Sequence, residues 1–410
     1  MSVLTPLVKV ADALNQLNAK FTALTFQEQK ALTITERIRF YNWTFEFWAL
    51  GVLALIYVFH VIGTRINKNR AVNLFKGFRQ CFEELAFAKI GFTTKSGQNQ
   101  PFVAENNNTW FTGFATGRSS VESVTVRARL LARFNPLSIL MEKSLGLFLP
   151  ALFEADTEEF VEVTIKANGV YVTSTTADLP KAPSDPASVL SKFKFVASIV
   201  NKSDMSKARE NNYYLSLTHT SESEKLPIQY VYMSENNQLN SFFDHYGGAA
   251  LKTLLSESAH FLSFLAFTDL PEAKPITERS WERNQQPRCV LRFKVVTSDA
   301  DIARLTKLVT TAVGIVDAAT QDYVQNPNKA FITNDMLKRS ANLRSQELAK
   351  VVKVMKQAER DLLQEKKQEQ EREKRRESRN KLSGEEQDKQ EQKMREKRER
   401  RQRNKQKTRM

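Results

Sequence analysis

Cysteine and histidine are scarce in this 410-residue chain: two of the first, Cys81 and Cys289, and four of the second, His60, His219, His245 and His260. Neither cysteine has another Cys or a His at metal-ligand spacing, so neither a disulfide framework nor a zinc site is indicated. The phosphate-cradling patterns GxGxxG and GxxxxGK[ST] are absent, and so are HExxH and GxSxG. The usual signatures of nucleotide binding, zinc proteolysis and serine hydrolysis are therefore missing. One run, Asp244-His245-Tyr246-Gly247-Gly248, places an acid–base residue beside two glycines. It reads more simply as a helix end, where the glycines stop one helix and let the next begin. No catalytic residue, no cofactor and no metal ligand is expected, and the chain reads as non-enzymatic.

Charge is missing from one stretch only. From Phe47 to Thr64 the sequence FWALGVLALIYVFHVIGT holds no Asp, Glu, Lys or Arg, in a chain where 26% of residues are charged. At 1.5 Å per residue this run spans roughly 27 Å as a helix, close to the ~30 Å hydrocarbon core of a bilayer. A transmembrane helix is expected over residues 46–64. Trp43 and Trp48 stand at its start, where amphipathic rings favour the headgroup layer. Past its end come Arg65, Lys68, Arg70, Lys76 and Arg79 with no acid among them. Lys and Arg beside a span stay cytosolic, so residues 1–45 are expected in the lumen and residues 65–410 in the cytosol. Trp43, Trp48, Arg65, Lys68 and Arg70 are the expected membrane-interface residues. The start MSVLTPLVKVADALNQ lacks the pattern of a secretory signal peptide. Glu46 and His60 touch the two ends of the span, and His60 reads as a neutral imidazole reaching toward headgroups or a partner helix.

Four parts follow: 1–45, lumenal and mostly helical; 46–64, the span; 65–337, a cytosolic α+β domain; and 338–410, a charged helical tail. In the first, Leu7, Val10, Leu14, Leu17 and Phe21 recur at helical spacing behind Thr5-Pro6. In the third, strands are predicted over Trp110–Thr116, Val124–Leu131, Phe160–Ile165, Tyr213–Thr218, Ile228–Met233 and Cys289–Val296. Helices are predicted over Leu137–Leu147, Ala187–Ala208, Asn237–Tyr246, Ala249–Glu257 and Asp301–Tyr323. Strands and helices mingle without strict alternation, which favours α+β over α/β. Loops are predicted at Lys95–Asn108 and Asp178–Ser184, rich in Gly, Asn, Pro and Ser.

The formal net charge is +15, and most of it sits in the tail. Val351, Met355, Ala358 and Leu362 follow 4-3-4 spacing, a seam little more than one heptad long. Beyond Glu365 the seam positions are charged, so a polar single helix continues, laced with acid-to-base pairs four apart. Ser383 and Glu386 fit a capping box that restarts a helix after a break. Near the C-terminus ten bases crowd together: Lys393, Arg395, Lys397, Arg398, Arg400, Arg401, Arg403, Lys405, Lys407 and Arg409. Only Glu396 and Glu399 oppose them, and no aromatic residue intervenes. Such a helix suits phosphate backbones by Coulomb attraction and counterion release. It could instead lie on anionic headgroups, though without an apolar face it would not insert.

The order of these parts resembles the calumin family, the coiled-coil-domain subunit of the PAT complex at the endoplasmic reticulum translocon. The resemblance covers roughly residues 43–410. It is carried by the span followed by GTRINKNR, by TGRSSVESVTVRARLLARFNP after a Trp-bearing strand, by LRFKVV before the last domain helix, and by the tail. It implies an endoplasmic reticulum membrane protein that works with a small membrane subunit, Asterix. The pair would protect nascent multi-spanning membrane proteins beside the ribosome and the Sec61 translocon, with the basic tail on ribosomal RNA near the exit tunnel. Animal members have a signal peptide and a long acidic lumenal region tied to calcium. The acidic region is missing here, so calcium buffering does not carry over. The alternative is a tether whose tail binds anionic membrane without ribosome contact.

Overall fold

The computed structural model describes residues 23–93, 97–106, 108–148, 158–172, 185–327 and 329–380, with residues 395, 396, 399 and 400 near the C-terminus. The Leu7–Phe21 stripe, the Asp178–Ser184 loop and the Ser383–Glu386 capping box lie outside the described residues.

Two short helices, α1 (Phe26–Ala31) and α2 (Ile34–Phe40), precede α3 (Thr44–Glu84), a 41-residue helix. At 1.5 Å per residue α3 is about 61 Å long, twice what a bilayer core needs. Its first half matches the uncharged run and is the one helix among the described residues long and apolar enough to cross a membrane. Its second half does not stop at the expected domain boundary. It continues unbroken into the domain, burying Ala71, Leu74, Phe75, Phe78, Cys81 and Phe82. The chain enters its core without a linker.

The strands are β1 (Lys89–Ile90), β2 (Phe92–Thr93), β3 (Asn99–Gln100), β4 (Val103–Glu105), β5 (Trp110–Thr116), β6 (Val121–Arg129), β7 (Phe160–Ala167), β8 (Ala197–Asn201), β9 (His219–Ser221), β10 (Tyr230–Ser234), β11 (Leu262–Thr268) and β12 (Arg288–Lys294). Ten form one antiparallel sheet in the order β1-β5-β6-β7-β12-β11-β8-β10-β9, with β4 also on β5. Between them run α4 (Pro136–Phe148), α5 (Pro186–Ser191), α6 (Met205–Asn211), α7 (Tyr213–Ser216), α8 (Ser241–Glu257) and α9 (Glu278–Arg283), and after them α10 (Asp299–Gln325) and α11 (Asn334–Asn380). A single antiparallel sheet with helices outside it is an α+β architecture.

One face of the sheet is covered by α3, α8 and α10, which bury Phe75, Phe78, Phe242, Leu305 and Val309 against Val126, Val163 and Leu291. Full burial of each such side chain contributes roughly 1.5–3 kcal/mol. The other face is covered only over β8, β10, β11 and β12, where Tyr214, Leu215, Trp281, Phe264 and Val290 form a second cluster.

The predicted helix over Ala187–Ala208 is in fact α5, then β8, then α6. All five residues of β8 are buried, so the alternation that marks a half-exposed strand is missing. β11 was not foreseen for the same reason. The strand predicted at Tyr213–Thr218 is the helical turn α7, in which neighbours Tyr214 and Leu215 are both buried. The Lys95–Asn108 loop contains β3 and β4. Gly248, at φ 57° and ψ −154°, kinks α8 in the left-handed region glycine tolerates, where one helix was expected to stop and another to begin.

Candidate functional site

The place where the uncharged run of α3 becomes the domain carries the most constrained chemistry. Gly63 is buried against the backbone after β6: a Cβ built on it would lie 2.2 Å from the Arg133 carbonyl oxygen. Only glycine permits that approach. One turn earlier, the His60 ring packs edge-on against Phe134 at 5.8 Å. His60 thus meets this chain's own post-β6 segment, a partner that the sequence expectation did not include. One turn later, Asn67 is fully buried. Its amide donates to the carbonyls of Asn108 (3.0 Å) and Leu131 (2.8 Å), and its oxygen accepts from Arg133 Nη1 at 3.0 Å.

Glu159, just before β7, completes the junction. It accepts from Arg133 Nη1, from the Leu131 N–H at 3.0 Å and from Arg70 Nη1 at 3.4 Å. Burial pushes its carboxyl up, but Arg133, the Leu131 N–H and Arg70 together outweigh that and hold it below the usual carboxylate range. Four side chains from α3, the β6 exit and the β7 entrance therefore lock α3 to the sheet. A rotation or piston of α3 would leave Asn67 buried without partners and take Arg70 from Glu159, which is costly.

α4 follows this junction directly. Its sequence PLSILMEKSLGLF is mainly apolar, yet none of its residues is buried, and Leu137, Leu140, Met141, Leu147 and Phe148 are exposed. Because Phe134 touches His60, this exposed apolar helix leaves the fold beside the C-terminal end of the uncharged run.

The tail begins inside the domain. Ser340, Arg344, Glu347 and Val351 are buried along one face of α11, so packing crosses the boundary expected at residue 337. The Arg344 guanidinium lies between two fully buried carboxylates. It donates to Glu235 at 3.0 Å through Nη1 and to Asp269 through Nε at 2.9 Å and through Nη2. Burial pushes the Glu235 carboxyl up, against the pull of Arg344. Tyr213 donates to Glu347 at 2.8 Å, which steadies the next turn. The 4-3-4 rhythm read at Val351, Met355, Ala358 and Leu362 is the continuation of this docking face. Val351 is buried and α11 packs beside α9 of the chain's own domain, while Leu362 is exposed.

Of the interface residues, Trp43 caps α3 and its indole donates to the Ile38 carbonyl at 3.0 Å, while Trp48, Arg65 and Lys68 are exposed. Arg70 is drawn into the junction by Glu159. Of the ten basic residues near the C-terminus, Arg395 and Arg400 are helical and exposed. Lys393, Lys397, Arg398, Arg401, Arg403, Lys405, Lys407 and Arg409 lie outside the described residues. Sequence reasoning missed Asn67, Arg133, Glu159 and Arg344. Their side-chain partners are 26 to 109 residues away in the chain, so no local pattern marks them. Cys81 and Cys289 are both buried and unpaired with each other. Among the described residues no group of three His, Cys, Asp or Glu is arranged to hold a metal ion.

Against known families, the model described as PAT complex subunit CCDC47 matches residues 42–401. A UPF0674 endoplasmic reticulum membrane protein of Saccharomyces cerevisiae is 44% identical over 362 residues, covering 88% of each chain. A second protein of that description, from Schizosaccharomyces pombe, is 25% identical over 251 residues, covering 61% of each.

Proposed function

The chain belongs to the PAT complex subunit CCDC47 family, and from that membership we propose that it is a single-pass endoplasmic reticulum membrane protein serving insertion and intramembrane chaperoning of multi-spanning proteins. Its N-terminus lies in the lumen and its domain in the cytosol, the orientation favoured by the run of bases after Thr64. Its partners are the ribosome, the Sec61 translocon and the small membrane subunit Asterix, and its clients are nascent multi-spanning membrane proteins. It works by holding and positioning rather than by bond chemistry.

The observation that carries this reading is the continuity of α3 from the uncharged run into the core, locked by Asn67, Arg133 and Glu159. A domain fixed to its span keeps one orientation on the membrane. α4 then rests against the cytosolic leaflet, because its exposed leucines leave the fold at that level. At the far side of the sheet, α11 is fixed by Arg344 and leads to the cluster of ten bases, which contacts ribosomal RNA. The docked start of α11 thus roots the basic cluster in a domain fixed to its span.

Crosslinking on native microsomes tests this. Photoreactive groups placed in the tail should capture ribosomal RNA, and groups on the span should capture a small membrane protein. If the tail captures only lipid, the anionic-membrane tether replaces the ribosome reading. Protease added outside sealed microsomes should remove the sheet domain and spare the N-terminal segment; the reverse pattern overturns the orientation.

A further inference from the structure

We propose that residues 25–43 form a foot that lies flat in the interfacial layer of the leaflet on the N-terminal side of the span, and so fixes the rotation of α3 from its outer end. The inference rests on α3 crossing the membrane, and on neither the ribosome nor the translocon. Residues 25–41 precede the segment matched by the family model, which begins at residue 42.

The segment is built locally. α1 and α2 each open with a capping box: Thr25 N–H and hydroxyl donate to Glu28 at 2.9 and 2.8 Å, and Thr33 N–H and hydroxyl to Glu36 at 2.9 and 2.7 Å. Arg37 Nη2 donates to the Lys30 carbonyl at 3.2 Å, tying α2 back to α1. α2 is tied in turn to the span. The Trp43 indole donates to Ile38 O at 3.0 Å, the Tyr41 hydroxyl donates to Glu46, and the Tyr41 and Trp43 rings meet edge-on at 5.2 Å.

With its backbone caps closed, this segment still exposes large apolar side chains: Phe26 is 80% exposed, Ile34 78% and Ile38 53%. Ile34 and Ile38 fall at i and i+4, on one side of α2. Thr35, Glu36, Arg37 and Arg39 occupy the other positions before the terminal Phe40. That is the division of an interfacial helix, with an apolar stripe toward the acyl boundary and basic groups among phosphates.

Reach decides what covers the stripe. Four residue steps separate Phe40 from Thr44, at most about 14 Å of extended chain. The headgroup layer is roughly 5–8 Å deep on each side of the hydrocarbon core. The indole bond from Trp43 back to Ile38 shortens the path further. The Trp43–Ile38 and Tyr41–Glu46 bonds therefore hold the Ile38 end of the stripe beside the start of α3, at the surface from which it departs. The lipid boundary is continuous with the already exposed faces of Trp48 and Leu50. With α3 held by this foot at one end and by Asn67 and Glu159 at the other, one fixed side of the span faces any partner helix.

The test uses the full chain in phosphatidylcholine vesicles, with single cysteines labelled by an environment-sensitive fluorophore. Cys81 and Cys289 are buried and stay unlabelled. Ile34→Cys and Ile38→Cys report the stripe, Thr35→Cys and Arg39→Cys the polar side, and Leu53→Cys the span. A nitroxide on the acyl chain near the headgroup should quench positions 34 and 38 at least twofold more than 35 and 39. Equal quenching at all four positions, weak or strong, with Leu53 shielded from water, overturns the foot while leaving the span intact. A water-exposed Leu53 label overturns the membrane crossing itself.

Discussion

Replacing Asn67 by leucine removes the centre of the junction while keeping a side chain of similar size. The carbonyls of Asn108 and Leu131 lose this donor, and Arg133 loses one of its two acceptors. The Asn108 carbonyl is left without a partner, at about 1–3 kcal/mol; the Leu131 carbonyl keeps the Arg133 N–H at 2.7 Å and Arg133 keeps Glu159, so those two lost bonds cost about 0.5–1.5 kcal/mol each. The whole change should cost about 2–5 kcal/mol, a large share of the 5–15 kcal/mol typical of a folded domain. For a domain of this size that is roughly a 5–15 °C fall in Tm. The damage should also be local. In lipid nanodiscs, amide exchange around residues 63–71 should rise more than tenfold, while β11 and β12, on which α10 and α9 pack, keep their protection. An Asn67→Leu protein with unchanged Tm and unchanged exchange at residues 63–71 would refute the idea that this junction holds the domain to the span.

Gly63→Ala should lower Tm and raise exchange in the same segment by about 1–3 kcal/mol or more, because its Cβ meets the Arg133 backbone; Gly51→Ala, with nothing within 4 Å, should do neither. Glu159 is held below the usual carboxylate range. Its contribution is therefore full above an unfolded value of about 4.3 and is lost as pH falls through the lower folded value, so junction exchange should climb below about pH 4. Glu159→Gln should flatten that acid limb, and an unchanged limb would remove Glu159 from the explanation. Arg344→Met strands Glu235 and Asp269 in the core and should cost about 3–5 kcal/mol, read as loss of protection from Ser340 to Val351. Exchanging residues 47–60 for a generic apolar helix should preserve membrane insertion but weaken recovery of a small membrane partner; undiminished recovery would move that contact to the domain.

Some of this was legible in the residues and some was not. The uncharged run, the strands β5 and β7 and the core stripe of α10 each follow from a local period, so their limits came within a few residues. β8 and β11 did not, because strands buried on both faces lose the alternation that identifies them. The 4-3-4 seam in α11 was visible, but its partner was not. A helix face looks the same whether it meets a second chain or its own, and here Ser340, Arg344, Glu347 and Val351 are buried against the chain's own domain, beside α9. The junction was hidden for a different reason. Asn67, Arg133 and Glu159 are ordinary polar residues until the sheet brings them together. The basic cluster near the C-terminus was plain from composition alone.

The most direct measurement is co-sedimentation of the chain with ribosomes across a salt series, for the full protein and for one ending at residue 383. Residues 393–409 carry ten bases and two acids. If roughly six to eight phosphates are neutralised, log K for the full chain should fall against log salt with a slope of about −5 to −7. The shortened chain should fold, since α11 is docked through Val351, yet lose binding at near-physiological salt. Undiminished binding by the shortened chain, or binding by the full chain that survives high salt, would contradict an electrostatic ribosome contact made by the tail.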